Sequence, residues 1–476
     1  MHQKELNHLN SLVGNSLEIK EDGIKVVDPQ KFRGNIHKLV EVSTLETGRL
    51  PALSRYCIRA TALDMGILPA SIHELYTARG RGDIPADFTV PAINLRVLSF
   101  DAARAVFRAA LRINAAALIF EIARSEIGYT DQKPAEYAAN ILAAAAAENF
   151  TGPVFIQGDH FQVSAGRYQD DPEKELNAVK DLAQEAIEAG FFNIDVDTST
   201  LVDLDQETIP EQQALNAQLS AEITAHIRSL EPEGITISVG GEIGEVGGKN
   251  STAEELRAYT QGFNQALKKI DSRAEGLSKI SIQTGTSHGG VVLPDGTIAS
   301  VNVDFDTLLE LSVLAREEYG MAGAVQHGAS TLPQDAFGKF VESEACEVHL
   351  ATNFQNIFYD HVSSGIKSEM YAYLDANHSN ERKPGMTDDQ FYYKSRKRAL
   401  GPFKSKIWNL PQTEKENISK AWEKQFSDLF DYLAIKNTKE YVDKFVKPVA
   451  VPPQISDYLK GSGETQVLED NSDLAD

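Results

Sequence analysis

The feature that most restricts the fold of this 476-residue chain is a strict alternation of strand and helix patterns between residues 88 and 353. Eight short runs rich in β-branched and aromatic residues are each followed by a segment with helical spacing of apolar residues. This alternation is typical of a parallel sheet covered by helices, and eight such units favour closure into a barrel. We therefore predict an α/β fold, a (β/α)8 TIM barrel. An open doubly wound sheet is the alternative, disfavoured because no GxGxxG sequence opens a helix after the first strand.

The chain outside this alternation differs in pattern from the barrel. We predict four parts: an N-terminal extension of irregular pattern (1–87), the barrel (88–365), a helical C-terminal extension (366–460) and an acidic tail (461–476). The tail is polar and poor in apolar residues, so we expect it to be disordered.

Three of the predicted strands end in histidine. The run GPVFIQGDHFQ (152–162) contains Asp159 and His160, and two later runs reach His288 and His327. The carboxyl ends of barrel strands meet at one rim, so these imidazoles are expected to lie together, and three imidazoles with an open position suit Zn²⁺. A lone histidine at a strand end is more often a core or surface residue, so the prediction depends on all three.

Two other features of these strand ends indicate chemistry. Asp159 is an orienting partner, a cap or a general base, and Gly158 permits the break that would let Asp159 and His160 face one site. Glu242, in the glycine-rich run 240–251, is a further metal ligand or an ion-pair partner. The small residues beside His288 and His327 would let backbone N–H groups approach a phosphate.

Composition excludes several classes of function. A net charge of −23 argues against binding nucleic acid, and no apolar run is long enough to cross a membrane. Two cysteines and an N-terminus without an apolar core favour a soluble cytoplasmic protein. The strongly basic stretch 394–406 is either a solvated face or a segment that holds phosphate.

Seven motifs together resemble the class II, metal-dependent fructose-bisphosphate aldolases and their tagatose-bisphosphate relatives. They are FTVPAIN (88–94), GDHF (158–161), NIDVDTS (193–199), GGEIGEVGG (240–248), GTSHG (285–289), QHGAS (326–330) and ATNFQ (351–355). The resemblance implies a cytoplasmic zinc lyase that reversibly cleaves fructose 1,6-bisphosphate to dihydroxyacetone phosphate and glyceraldehyde 3-phosphate.

The resemblance also implies roles for single residues. The metal ligands would be His160, His288 and His327, with Glu242 as a secondary contact that also serves catalysis, and Asp159 would be the acid/base. One phosphate, with a Na⁺ or K⁺ ion, would lie near six residues: Ser287, Gly289, Gly328, Ser330, Thr352 and Asn353.

The chain departs from the family pattern at several positions. His349 replaces the usual substrate-contacting asparagine, so we predict a catalytic role for it. Lys249 and Asn250 replace acidic loop residues, and Val292 replaces a lysine of some members. The segment FYYKSRKR (391–398) resembles a basic segment that binds the distal phosphate, often across a subunit boundary. We therefore predict that Arg396 or Arg398 holds that phosphate, and that the protein is a homo-oligomer, a dimer or a tetramer.

Two alternatives remain open at this point. Within the family, the substrate could be tagatose bisphosphate or another phosphorylated ketose. The alternative of a different class is a non-catalytic barrel that supports a partner subunit. Four chemical groups at one rim, Asp159 and the three histidines, argue against it, because a silent subunit has no need of them.

Overall fold

The computed structural model of the protein describes residues 2–20, 23–244, 249–285, 303–460 and 474. Within these ranges the N-terminal extension is folded, although its sequence pattern is irregular. Its elements are α1 (Gln3–Leu12), β1 (Leu17–Lys20), β2 (Gly23–Val26), α2 (Pro29–Leu45), α3 (Arg49–Asp64), β3 (Ile67–Ala70) and α4 (His73–Gly80).

Eight parallel strands form a closed barrel in the described part of the chain, which confirms the predicted fold. They are β4 (Val90–Asn94), β5 (Ile119–Ala123), β6 (Gly152–Gln162), β7 (Asn193–Asp197), β8 (Ser238–Glu242), β9 (Lys279–Ile282), β10 (Ala324–Gln326) and β11 (Glu347–Leu350). Each strand pairs with the next along the chain, and β11 pairs with β4 to close the sheet. All eight carboxyl ends therefore point to one rim.

Helices cover the outside of this barrel. They are α5 (Ser99–Arg112), α6 (Arg124–Thr130), α7 (Pro134–Ala147), α8 (Ala165–Asp170), α9 (Pro172–Ala189), α10 (Ile209–Gln212), α11 (Ala214–Ser229), α12 (Ala253–Ile270), α13 (Phe305–Tyr319), α14 (Gly338–Glu342) and α15 (Thr352–His361). Local sequence sets their ends. For example, the Asp171 carboxylate accepts a hydrogen bond from the Lys174 N–H at 3.1 Å to cap α9, and Gly190 ends that helix with φ of 102°.

A ninth strand, β3, joins the sheet at the amino end of the barrel. It runs parallel to β6, with Ile67 opposite Gly152. The Asn193 amide, at the start of β7, accepts a hydrogen bond from the Ile72 N–H at 2.8 Å and donates to the Ile156 carbonyl at 2.9 Å. The N-terminal extension is therefore part of the barrel sheet at the end opposite the rim.

The C-terminal extension is helical, as its sequence pattern indicates. Its helices are α16 (Ser364–Asn377), α17 (Asp388–Ser395), α18 (Lys404–Trp408), α19 (Gln412–Tyr432), α20 (Lys439–Phe445) and α21 (Ile455–Leu459). The expected boundary after residue 365 falls inside α16, and the expected acidic tail lies outside the described residues except for Leu474. Among the described helices, none combines the length and the apolar character needed to span a membrane.

Candidate active site at the carboxyl end of the barrel

Strand β6 is irregular at the point where its candidate functional residues begin. Its pairing with β7 shifts register between Gly158 and Phe161, and His160 adopts a left-handed conformation with φ of 39°. A Cβ on Gly158 would lie 2.4 Å from the Phe161 ring, so only glycine fits there. The predicted break is therefore present, and it lets Asp159 and His160 reach the same site: the two side chains approach to 3.9 Å.

Five side chains from four strands meet at this rim. We call Asp159, His160, Glu242, His327 and His349 the rim cluster, and all five are buried. The His160 and His327 rings lie 4.3 Å apart, and the His327 and His349 rings 4.0 Å apart, measured between centroids. Ligand atoms of His160, Glu242 and His327 all lie within 4.8 Å of one another. That spacing can hold a metal ion.

Asp197 orients the first imidazole of the rim cluster. Its carboxylate lies 3.1 Å from His160 Nδ1 and accepts hydrogen bonds from the Ser199 N–H at 2.9 Å and hydroxyl at 2.7 Å. An Nδ1–H donated to Asp197 leaves Nε2 as the His160 nitrogen that can act as a ligand. Glu242 lies 3.5 Å from the same Nδ1.

Asp159 and His349 form a pair on the other side of the rim cluster. His349 Nδ1 lies 3.1 Å from Asp159 Oδ1 and 3.0 Å from Glu121 Oε2, while its Nε2 lies 2.6 Å from Glu347 Oε1. Asp195 lies 3.7 Å from the same Nε2, so four carboxylates surround the imidazole, and a proton on it can be shared with Asp159.

The excess of carboxylates shifts the pKa values in the rim cluster. Burial lowers the pKa of His160, but Asp159, Asp197 and Glu242 outweigh it and raise that pKa to about 10. Burial and Asp197 raise the pKa of Glu242 to about 8. Asp159 and Asp197 contribute to both shifts, and this negative charge at the rim favours an added positive charge.

A second group of polar side chains fills the barrel below the rim cluster. We call Tyr76, Gln157, Asp195, Lys279 and Glu347 the inner network. Lys279 Nζ donates to Gln157 at 2.8 Å, contacts Asp195 at 2.9 Å and also binds Glu347, which accepts from the Tyr76 hydroxyl. Burial lowers the pKa of Lys279, but Asp195 and Glu347 outweigh it and raise that pKa. The ammonium stays charged, which does not suit a Schiff-base nucleophile.

The pocket beside the rim cluster contains part of the expected phosphate site. Gly328, Ser330 and Thr352 line it together with Asp159 and His349. The Ser330 hydroxyl accepts a hydrogen bond from the Ala351 N–H at 2.7 Å, and α15 begins at Thr352 with no side-chain cap. Of the other expected residues, Asn353 follows in the first turn of α15, while Ser287, His288 and Gly289 lie outside the described residues.

The two expected distal-phosphate arginines lie in the C-terminal extension. Arg396 stacks over the rings of Tyr359 and Tyr393, at 4.8 and 4.3 Å from their centroids, and donates to Asn356. Arg398 lies 3.3 Å from Glu381. Neither is among the described residues that line the pocket of Asp159 and His349. Their role in binding phosphate stays a prediction.

A cation that the sequence analysis missed lines this pocket instead. Arg96, two residues after β4, is buried and lies 2.7 Å from Glu126. Burial, together with the nearby cations Arg96 and Arg398, lowers the pKa of Lys397 to about 7. Lys397 of the basic segment is therefore near Arg96, which lines the pocket.

Three more buried charged residues near the rim cluster were not predicted from the sequence, although the sequence pattern around two of them could have indicated their position. Asp197 ends a strand as Asp159 does, and Glu121 is a lone carboxylate in an apolar strand. Lys279 is the first residue of the run KISIQ, and the sequence pattern does not show whether it belongs to the strand or to the loop before it.

Comparison with known proteins identifies the family. The family model for class-II fructose-bisphosphate aldolase matches residues 85–407, which is more than half of the chain. The protein belongs to the class II fructose-bisphosphate aldolase family. Membership makes it an aldolase, a lyase.

Two of the solved structures that match the chain have low sequence identity to it. The fructose-bisphosphate aldolase of Campylobacter jejuni has a TM-score of 0.46 and 17% identity, covering 78% of this chain and 97% of its own. A protein of Sinorhizobium meliloti described as a probable tagatose 6 phosphate kinase has a TM-score of 0.48 and 16% identity, with 78% and 97% covered.

The departures from the aldolase family pattern have structural consequences. Lys249, where acidic loop residues are usual, lies 2.9 Å from Glu255, and Asn250 donates to Asp304 at 2.7 Å. His349, in place of the usual asparagine, adds an imidazole between Asp159 and Glu347. Val292 and the glycines Gly247 and Gly248 of the glycine-rich run lie outside the described residues.

Proposed function

We propose that this class II aldolase reversibly cleaves fructose 1,6-bisphosphate to dihydroxyacetone phosphate and glyceraldehyde 3-phosphate, with the tagatose bisphosphate epimer as the alternative substrate. The observation that carries the proposal is the rim cluster: two imidazoles and Glu242 within ligand distance of one another, directly beside the Asp159–His349 pair. This combination supplies an electron sink and a proton donor at one rim, as aldol cleavage requires.

The residues of the rim cluster fit a divalent ion, and we propose Zn²⁺. His160, His327 and Glu242 would hold it, with His288 from outside the described residues as a further ligand. The fit rests on three buried donors within 4.8 Å and on the neighbouring carboxylates Asp159 and Asp197, whose negative charge favours a bound cation. When bound, such an ion polarises the ketose carbonyl and stabilises the enediolate.

Asp159 is the proposed acid/base at the oxygen that becomes the aldehyde. Its Oδ1 is 3.1 Å from His349 Nδ1, and Glu121 holds the same nitrogen at 3.0 Å. Burial lowers the pKa of His349, but Glu121 and Asp159 outweigh it and raise that pKa well above its usual value. The imidazolium therefore positions Asp159 and keeps a proton available beside it.

The two phosphates of the substrate are assigned to two groups of residues at the pocket. One is placed at Gly328, Ser330 and the start of α15, where uncapped backbone N–H groups favour an anion. The other is placed toward Arg96 and the basic segment at Lys397 and Arg398. Arg396, stacked between two tyrosines, would position that segment.

Product analysis tests this function. The purified full-length protein is incubated in parallel with fructose 1,6-bisphosphate and tagatose 1,6-bisphosphate, and dihydroxyacetone phosphate is measured before chelation, after chelation and after Zn²⁺ is restored. We expect cleavage of the fructose ester that is lost on chelation and recovered with Zn²⁺. Cleavage of the tagatose ester alone would change the substrate, and cleavage of neither by the metal-loaded protein would favour the non-catalytic barrel.

A further inference from the structure

A second cleft lies on the outside of the barrel, where three parts of the chain meet. Its walls come from α2 in the N-terminal extension, from α5 on the barrel, and from the segment around Trp408 and α19 in the C-terminal extension. Its volume is about 470 Å³, within the range of small-molecule sites. The residues of the rim cluster do not contribute to it.

Two cations in this cleft lack a carboxylate partner. The guanidinium of Arg33 on α2 has no hydrogen-bond or ion-pair partner among the described residues, although its Nε is buried. Lys415 on α19 donates to the Trp408 carbonyl at 3.2 Å, and within the described ranges no carboxylate lies at ion-pair distance from it. A guanidinium N–H that is buried without a partner is costly, so the cleft as it stands is incomplete.

Two carboxylates, Asp101 and Glu41, also line the cleft, but within the described part of the chain neither lies at ion-pair distance from Arg33 or Lys415. Arg104 is held by Glu148 at 2.6 Å. Burial raises the pKa of Asp101, and the nearby cations Lys415 and Arg104 act against that rise. The lining therefore holds three cations (Arg33, Arg104 and Lys415) and two carboxylates, a local exception in a chain with a net charge of −23.

The cleft also has an apolar wall. Ile36, Phe100 and Trp408 are 1%, 4% and 8% exposed, and they line the same space as the two cations. An aromatic and aliphatic surface next to cations suits a ligand with an apolar or planar body and an anionic end.

We propose that this cleft is a second ligand site, which binds a small organic phosphate through Arg33 and Lys415. Phosphate is favoured because a guanidinium presents its N–H groups in a fork that matches two phosphate oxygens, and the ammonium adds a point charge. The body of the ligand packs against Phe100 and Trp408. The site is independent of the proposed cleavage reaction, and a ligand there connects the two extensions through the barrel, which stabilises the folded chain.

Calorimetric titration of the full-length protein tests the site with adenosine monophosphate as the probe, against adenosine and citrate. We expect the monophosphate to bind at least about tenfold more tightly than adenosine, the scale of one charge-assisted hydrogen bond. Citrate distinguishes a phosphate site from a general anion site. Equal binding of citrate and the monophosphate, or no heat from the monophosphate at millimolar concentration, overturns the proposal.

A matched pair of double variants locates the binding. Arg33→Gln with Lys415→Gln removes the two cleft cations, and Lys268→Gln with Arg273→Gln removes two exposed cations elsewhere. The cleft variant should weaken monophosphate binding about tenfold or more while the control stays unchanged, and His327→Ala should still bind. Equal affinities of the two double variants, or loss of binding in His327→Ala alone, would place the monophosphate outside the cleft and contradict the proposal.

Discussion

The rim cluster and the inner network are two buried groups of charged side chains in one barrel, and they differ in how their charge is balanced. The inner network contains its own cation: Lys279, 1% exposed, lies between Asp195 and Glu347. The rim cluster and its neighbours Asp197 and Glu121 contain carboxylates and imidazoles, and the pKa of Glu242 there is raised to about 8. A group built around its own ammonium is stabilised as folded, whereas carboxylates and imidazoles without a fixed cation are suited to bind a metal ion.

The largest expected effect comes from removing the counter-charge of the inner network. Lys279→Met leaves Asp195 and Glu347 buried without their ammonium and should lower the free energy of unfolding by about 3–5 kcal/mol. Urea unfolding measures the change. Lys268→Met, an exposed lysine, is the control and should change stability by less than about 0.5 kcal/mol. A loss for Lys279→Met as small as that of the control would show that the inner network does not depend on its cation.

The second prediction concerns chemistry at the rim. Asp159→Ala should lower kcat by at least about a hundredfold, the usual scale for losing a general acid or base, while the protein keeps its metal and its stability. Steady-state kinetics and metal analysis of the same sample measure both. A variant that loses metal and regains turnover when metal is supplied would make Asp159 an orienting residue.

A smaller effect is expected at the distal phosphate. Lys397→Met and Arg398→Met should each raise KM for fructose 1,6-bisphosphate about tenfold, the scale of one lost charged contact. Arg396→Met should mainly destabilise the segment, because Arg396 packs between Tyr359 and Tyr393. If only Arg396→Met raises KM, the phosphate lies on Arg396 instead.

The same site predicts a pH dependence. Burial, Arg96 and Arg398 lower the pKa of Lys397 to about 7, so its ammonium is lost as the pH rises through that value. Because kcat/KM reports the free enzyme, it should fall above pH 7, and Lys397→Arg should abolish that fall, since arginine stays protonated. A fall of the same size in the arginine variant would assign the titration to another group.

Strand-end residues were predictable from sequence because the position of a strand's carboxyl end follows from its apolar run. His160, Glu242 and His327 were expected at one rim, and closure of the barrel brings them together. The inner network was not predicted. Strands of a parallel sheet are apolar on both faces, so their sequences do not show which face a single charged residue occupies. Lys279 begins its strand and Glu347 stands alone between Cys346 and Val348, so neither could be assigned to the barrel interior.

The arrangement of the two extensions, in contrast, could not be predicted from the sequence. The N-terminal pattern gave no indication that β3 would join the barrel. The strand is only four residues long, and one of them is Pro69, a residue that argues against a strand. Its partner is β6, far along the chain, and that pairing depends on a tertiary contact through Asn193. The meeting of α2, α5 and α19 at the second cleft likewise cannot be derived from local sequence.

Direct titration of metal-stripped protein with Zn²⁺ tests the central claim, that the rim cluster is incomplete without a divalent ion. Isothermal calorimetry should detect about one ion per chain in the wild-type protein and no tight binding in His327→Ala, while His361→Ala, an exposed histidine, binds as the wild type does. Full aldolase activity in the metal-stripped protein, or equal binding by His327→Ala and the wild type, would contradict the account.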